Sequence, residues 1–214
     1  MPTKTIRVTR KQAHAFRKGR TIDGQTVGIK NIVLHSSDGR EAGDLATLTG
    51  DDVSSHYYVT RSGKIFRLVD DSNTAFHAGQ VTKKTFFSNA VTIGIEQEHF
   101  DPDREAGRPN NEDWPETQLE AVAELVAFLC QEHGLNAPED IKTHAEIAAP
   151  PGRKQDPFAY PMGHFTSLVA GNREFQWKVT ETQTFPTTTG PAVKKILATA
   201  KRPRRRAKAT PRKT

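Results

Sequence analysis

The stretch Ile29-Lys30-Asn31-Ile32-Val33-Leu34-His35-Ser36-Ser37 closes an apolar run with a histidine and two small hydroxylated residues. Ile32, Val33 and Leu34 are the apolar and β-branched types of a strand buried on both faces, which places His35 where that strand leaves the core. A ring nitrogen held there has rigid backbone behind it and solvent in front, a setting that suits a metal ligand or an acid–base group. A lone histidine after a strand is more often a structural, hydrogen-bonded residue, so the reading depends on what else converges on it.

Working outward, Tyr57-Tyr58-Val59 and Ile65 to Val69 are strand-like runs joined by Arg61-Ser62-Gly63-Lys64, the clearest hairpin in the chain. Ala90 to Glu96 is a further apolar strand, and residues 38–52 hold a short helix around Leu45 and Leu48. Leu119, Val122, Val126, Leu129 and His133 recur at helical spacing up to Gly134, which predicts a five-turn amphipathic helix, with Asp113 and Glu116 as its capping pair. A final helix is expected over His164–Ala170. Strands mixed with helices define an α/β domain, a central mixed β-sheet flanked by helices, over residues 25–172. Residues 1–24 read as an irregular lead-in. Residues 173–214 read as a threonine-rich and then strongly basic, disordered tail.

The net charge of +6 over 214 residues is unevenly spread. Residues 192–214 carry ten basic side chains and no acid, leaving 21 basic against 25 acidic elsewhere, so the positive charge belongs to the tail. Such an arm suits electrostatic contact with an anionic membrane, lipopolysaccharide or nucleic acid, or a merely solubilising end. Cys130 is the sole cysteine, which excludes an internal disulfide framework. No apolar run approaches a membrane span, and the N-terminal decapeptide lacks the apolar core of a secretory signal, so cytoplasmic synthesis is expected.

Two later stretches change the weight of His35. Thr143-His144-Ala145-Glu146 and Gly152-Arg153-Lys154-Gln155-Asp156-Pro157 bring a second imidazole and a carboxylate, the donor set of a hydrolytic zinc site with one position open for water. The order I-V-L-H, V-S-S-H-Y, F-H-A-G, I-G-I-E, T-H-A-E, R-K-Q-D-P over about residues 29–165 resembles the zinc-dependent N-acetylmuramoyl-L-alanine amidases. That family includes phage amidase-type lysozymes, bacterial recycling amidases and peptidoglycan recognition proteins.

The resemblance implies His35, His144 and Asp156 as Zn2+ ligands, Glu96 as the acid that activates water and Lys154 as the oxyanion partner. It also implies peptidoglycan as the partner, with no obligate protein partner. Phe76 stands where members usually carry tryptophan, and Ser55 where some phage members carry a tyrosine. His56, Tyr57, Phe76 and His77 are substrate-groove candidates, with packing the alternative for the two histidines. Ser36, Ser37 or a backbone carbonyl is expected to fix the His35 tautomer. Glu146 reads as a loop or capping carboxylate. The expected activity is cleavage between N-acetylmuramic acid and L-alanine, as a phage endolysin. A cytoplasmic recycling amidase and a non-catalytic wall-binding module are the alternatives, and nucleic-acid binding by the tail is a third reading.

Overall fold

Period-two alternation along a few short strands decides which residues reach the core and which reach the site. The computed structural model describes residues 1–100 and 112–183, all within the unit Met1–Thr184. In chain order its elements are β1 (Thr3–Arg10), β2 (Phe16–Arg17), β3 (Thr21–Ile22), β4 (Gln25–Thr26), β5 (Asn31–Leu34), α1 (Glu41–Leu48), β6 (Tyr57–Val59), β7 (Ile65–Arg67) and β8 (Thr74–Ala75). There follow α2 (Lys84–Phe87), a 3₁₀ turn (Asn89–Val91), β9 (Thr92–Gln97), α3 (Glu116–His133), β10 (Ile141–Thr143), α4 (His144–Ile147), α5 (Met162–Asn172) and β11 (Gln176–Gln183). A seven-stranded sheet runs β10-β5-β9-β6-β7-β1-β11, with β2–β8 and β3–β4 as small antiparallel pairs. Within the large sheet only β6–β7 is antiparallel, so the sheet is mixed as expected, and its hairpin is the one read from the sequence.

One face of the sheet presents Ile32, Leu34, Tyr57, Val59, Ile93 and Ile95 to α3 and α5. Leu119, Val122, Leu125, Val126 and Leu129 answer from α3, and Phe165 and Val169 from α5. Burial of such side chains, each contributing roughly 1.5–3 kcal/mol, drives the docking of both helices. The opposite face takes the alternate residues: Tyr58 packs with Leu45 and Leu48 of α1, and Val33 with Ala78 and Ile147. The helix α3 ends at Gly134, whose φ of 66° is the left-handed cap that glycine adopts without penalty. Its start differs from expectation: Pro115 is the N-cap and no side chain caps the turn, so Asp113 and Glu116 form no capping box. That box is found at α4, between Thr143 and Glu146.

Two corrections concern the ends. Residues 1–24 are not an irregular lead-in, because β1 pairs in parallel with both β7 and β11. Residues 173–183 belong to the fold as well, since β11 pairs with β1 from Thr3↔Gln176 to Arg10↔Gln183 and buries Trp177 at 6% exposure. Ile6 and Val8 alternate with polar residues in β1, a weak pattern completed only by partners distant in sequence, 57 residues away in β7 and 173 away in β11. The basic stretch 192–214 lies outside the described residues. Among the described residues no helix is long and apolar enough to cross a membrane.

Candidate metal centre and its surroundings

The three adjacent parallel strands β10, β5 and β9 share a register in which Thr143, Leu34 and Ile95 lie side by side. The next residue on each is His144, His35 and Glu96, so three functional groups emerge in a row from the carboxyl ends of the strands, where open α/β sheets place their ligands. His35 follows Val33 by two and Glu96 follows Gly94 by two, so both side chains point away from α3. Asp156 arrives on the loop after α4, whose first turn the Thr143–Glu146 box secures: Glu146 Oε2 accepts from Thr143 N at 2.6 Å.

His35 Nδ1 and His144 Nδ1 are 3.0 Å apart, and Asp156 Oδ2 lies 3.4 Å from the first and 3.0 Å from the second. All three residues are buried, at 1%, 4% and 6% exposure. Burial lowers the pKa of His35 more than the neighbouring Asp156 carboxylate raises it, so the ring is neutral at pH 7. His77 lies well below the ordinary imidazole range for the same reason, reinforced by His35, His56 and His144.

The network assigns which nitrogen of each ring carries the proton. His144 Nε2 is 3.1 Å from the Ala78 carbonyl oxygen, which can only accept, so Nε2 is the donor, and in the neutral ring Nδ1 keeps its lone pair. For His35 the assignment runs along a relay. Thr92 Oγ1 donates to the Ser88 carbonyl at 3.0 Å and accepts from His77 Nε2 at 3.2 Å. His77 Nδ1 therefore accepts from His35 Nε2 at 2.9 Å, and His35 Nδ1 is bare as well.

Three acceptors thus face one another with no proton between them, an arrangement that repels in a buried site unless a cation sits among them. Their separations are close to the roughly 3.3–3.6 Å between corners of a tetrahedron drawn with zinc–ligand bonds of about 2.0–2.2 Å. Two more oxygens of these residues are left over: Asp156 Oδ1 and Glu96 Oε2 are buried with no hydrogen-bond partner among the described residues. His35, His144 and Asp156 therefore fit a divalent metal ion, and zinc by their chemistry.

Glu96 Oε1 is 3.8 Å from His35 Nδ1, and its side chain is 15% exposed. Burial, followed by the charges of Asp156 and Asp44, pushes its pKa up to about 8, against the opposing pull of Lys154. A cavity of about 320 Å³ opens here, with Ser36, Ser37, Asp44, Phe76, His77, Glu96 and Lys154 in its walls. Phe76, 37% exposed, also borders a second cavity of about 640 Å³ lined by Arg17, Ile22, Gln80 and Lys84.

Of the groove candidates, Phe76 and His77 line the cavity and His56 and Tyr57 do not. Tyr57 is 2% exposed on the α3 face of β6, where its hydroxyl donates to Asp71 at 2.8 Å. His56 is fully buried, accepting from the Gly94 amide at 3.0 Å and lying 2.7 Å from the Arg20 guanidinium. Ser37 does not orient His35, because its hydroxyl donates to Asp44 at 2.6 Å. The sequence reading missed Asp44, a buried carboxylate in the cavity wall that also accepts from Tyr58 at 2.6 Å. An acid in the first turn of a short helix looks like an ordinary dipole partner, so no local signal marked it.

A pocket whose donors could hold a metal ion thus lies at the carboxyl ends of the parallel strands of a mixed sheet. The profile of the family described as N-acetylmuramoyl-L-alanine amidase matches residues 24–159, and the chain belongs to that family. It is 34% identical over 137 residues to N-acetylmuramoyl-L-alanine amidase AmiD of Escherichia coli K12, covering 60% of this chain and 49% of that protein. The chain thus spans about half the length of that curated relative. The E. coli AmiD structure, a complex with anhydro-N-acetylmuramic acid-L-Ala-D-γ-Glu-L-Lys, superposes with a TM-score of 0.58 at 28% identity, over 70% of this chain and 60% of that one. AmpDh3 of Pseudomonas aeruginosa, in complex with an anhydromuramic pentapeptide, gives 0.60 at 25% identity, over 70% and 63%.

Proposed function

We propose that this chain is a zinc-dependent amidase that cleaves peptidoglycan between N-acetylmuramic acid and the L-alanine of the stem peptide. The observation that carries the reading is the convergence of two bare imidazole nitrogens and a carboxylate beside the partnerless oxygen of Glu96. His35, His144 and Asp156 would hold the zinc ion. When bound it supplies Lewis acidity, which can bring the pKa of a water to about 7 and polarise a carbonyl.

The chain's own residues do the rest. Glu96, in the cavity wall 3.8 Å from His35, is placed to take a proton from the attacking water and to hand it to the departing alanine nitrogen. Lys154 brings positive charge into the same cavity, where the oxyanion of the tetrahedral intermediate develops. Phe76 offers an apolar wall between two cavities, one on the reacting side and one beyond it, which suits a substrate with a sugar on one side of the scissile bond and a peptide on the other. The AmiD and AmpDh3 complexes, both with muramyl peptides, support that substrate class.

For the biological setting we propose a phage endolysin, made in the cytoplasm and acting on the wall once the membrane is breached. Support comes from the ten basic residues of 192–214, an arm suited to anionic membrane, lipopolysaccharide or nucleic acid. Recycling of soluble fragments is the second reading, favoured by the anhydromuropeptides in both relatives' complexes. Digestion of purified sacculi and of soluble anhydromuropeptides side by side, followed by mass spectrometry, tests both. New amino groups on L-alanine are expected, with sacculi cut faster for an endolysin and soluble fragments faster for a recycling enzyme. Zinc-loaded protein that releases no L-alanine amine from either would refute the amidase reading.

A further inference from the structure

The two ligand rings give their outward hydrogen bonds to two consecutive residues. His35 Nε2 donates to the His77 ring at 2.9 Å, and His144 Nε2 donates to the Ala78 carbonyl at 3.1 Å. The backbone amides of this same pair, at 3.1 Å and 2.8 Å, converge on a single atom, Asn89 Oδ1. Two N–H donors identify that atom as the amide oxygen, since the amide nitrogen could accept from neither.

Asn89 is itself well anchored. It opens the 3₁₀ turn Asn89–Val91, and the Arg20 guanidinium reaches the carbonyls of Asn89, Ala90 and Thr92 at 3.3, 3.1 and 3.0 Å. Thr92, the residue after that turn, supplies the oxygen that fixes the far end of the His77 ring. Gly94 makes room for the ring: a Cβ there would come within 2.5 Å of His77 Cγ.

We propose that Asn89 is a positioning residue for the metal centre: its side-chain oxygen sets the pair His77–Ala78, and that pair holds both imidazole ligands in the tautomer that presents Nδ1. The inference rests on His35, His144 and Asp156 holding a metal ion. It differs from a general structural role in naming one oxygen, so the acceptor and not the shape of the side chain is what matters. Partners that orient metal-ligating histidines typically govern affinity by about 10- to 100-fold.

Zinc affinity of the full chain, measured by competition with a chromophoric chelator, reads ligand orientation without reference to turnover. Asn89→Ala is expected to lose about 10-fold or more, and Asn89→Asp, which keeps an acceptor oxygen in the same place, to recover to within about threefold of wild type. Thr92→Val preserves a β-branched strand residue but removes the last acceptor of the relay; it is expected to lower affinity by a similar factor, and Thr92→Ser to restore it. Wild-type affinity in Asn89→Ala, or in Thr92→Val should Asn89→Ala fail to fold, overturns the proposal, as does an Asn89→Asp protein that recovers nothing. Failure of the wild-type chain to take up zinc overturns the metal reading and this inference with it; tight zinc binding by wild type and Asn89→Ala alike overturns this inference alone.

Discussion

Glu96 is the residue on which turnover and metal binding should separate. It sits 3.8 Å from His35 without joining the triangle of His35, His144 and Asp156, so Glu96→Gln is expected to retain zinc while losing about 10²- to 10⁴-fold in turnover on muropeptides. Lys154→Ala should lower the rate by about 10²-fold, and Lys154→Arg, which keeps the charge, by less. His56 gives a stability test away from the chemistry. Burial, aided by Arg20, pushes its pKa from 6.5 down to about 3. Between those values the unfolded chain carries a proton that the folded chain refuses, so stability rises with pH across that window and is lost as pH falls. Urea midpoints from pH 7 to pH 4 should fall, and His56→Gln should flatten that part of the slope. The convergence of His35, His144 and Asp156, with Glu96 beside them, was legible because these residues fall in short recognisable segments; the group that hydrogen-bonds His35 was not, because His77 reaches it across the fold while the nearby Ser37 hydroxyl turns to Asp44.

At the scale of elements, the shared register of β10, β5 and β9 converts three separate strand ends into one site. Gly94 in β9 shows how closely the neighbouring loop depends on it: Gly94→Ala is expected to push His77 off the strand and to destabilise the protein by roughly 1–3 kcal/mol, the usual range for overpacking, read as a lower urea midpoint at unchanged m-value. In α3, Leu125→Ala should cost about 2–5 kcal/mol, since Leu125 is fully buried beneath the sheet. The helix α3 and the hairpin were readable because their signals are local: a 3.6-residue period ended by glycine, and two apolar runs about a tight turn. The strands β1 and β11 escaped because each has only two alternating apolar side chains facing the core, Ile6 and Val8 in one and Trp177 and Val179 in the other. Their partnership exists only once the chain has closed on itself.

For the whole molecule, the sheet divides labour between its faces. One face is packed with aliphatic side chains under α3 and α5, and the other carries the imidazoles, carboxylates and the cavity. A rigid apolar floor holds each ring against its partner, and burial makes three converging lone pairs costly unless a cation sits among them. Zinc K-edge X-ray absorption on protein purified without chelators and loaded with one equivalent of zinc tests that claim most directly. The expected spectrum shows two imidazoles and carboxylate oxygen at about 2.0–2.2 Å, with an imidazole lost in His35→Ala or His144→Ala. Protein that retains no zinc, or whose zinc has no imidazole neighbours, would contradict it.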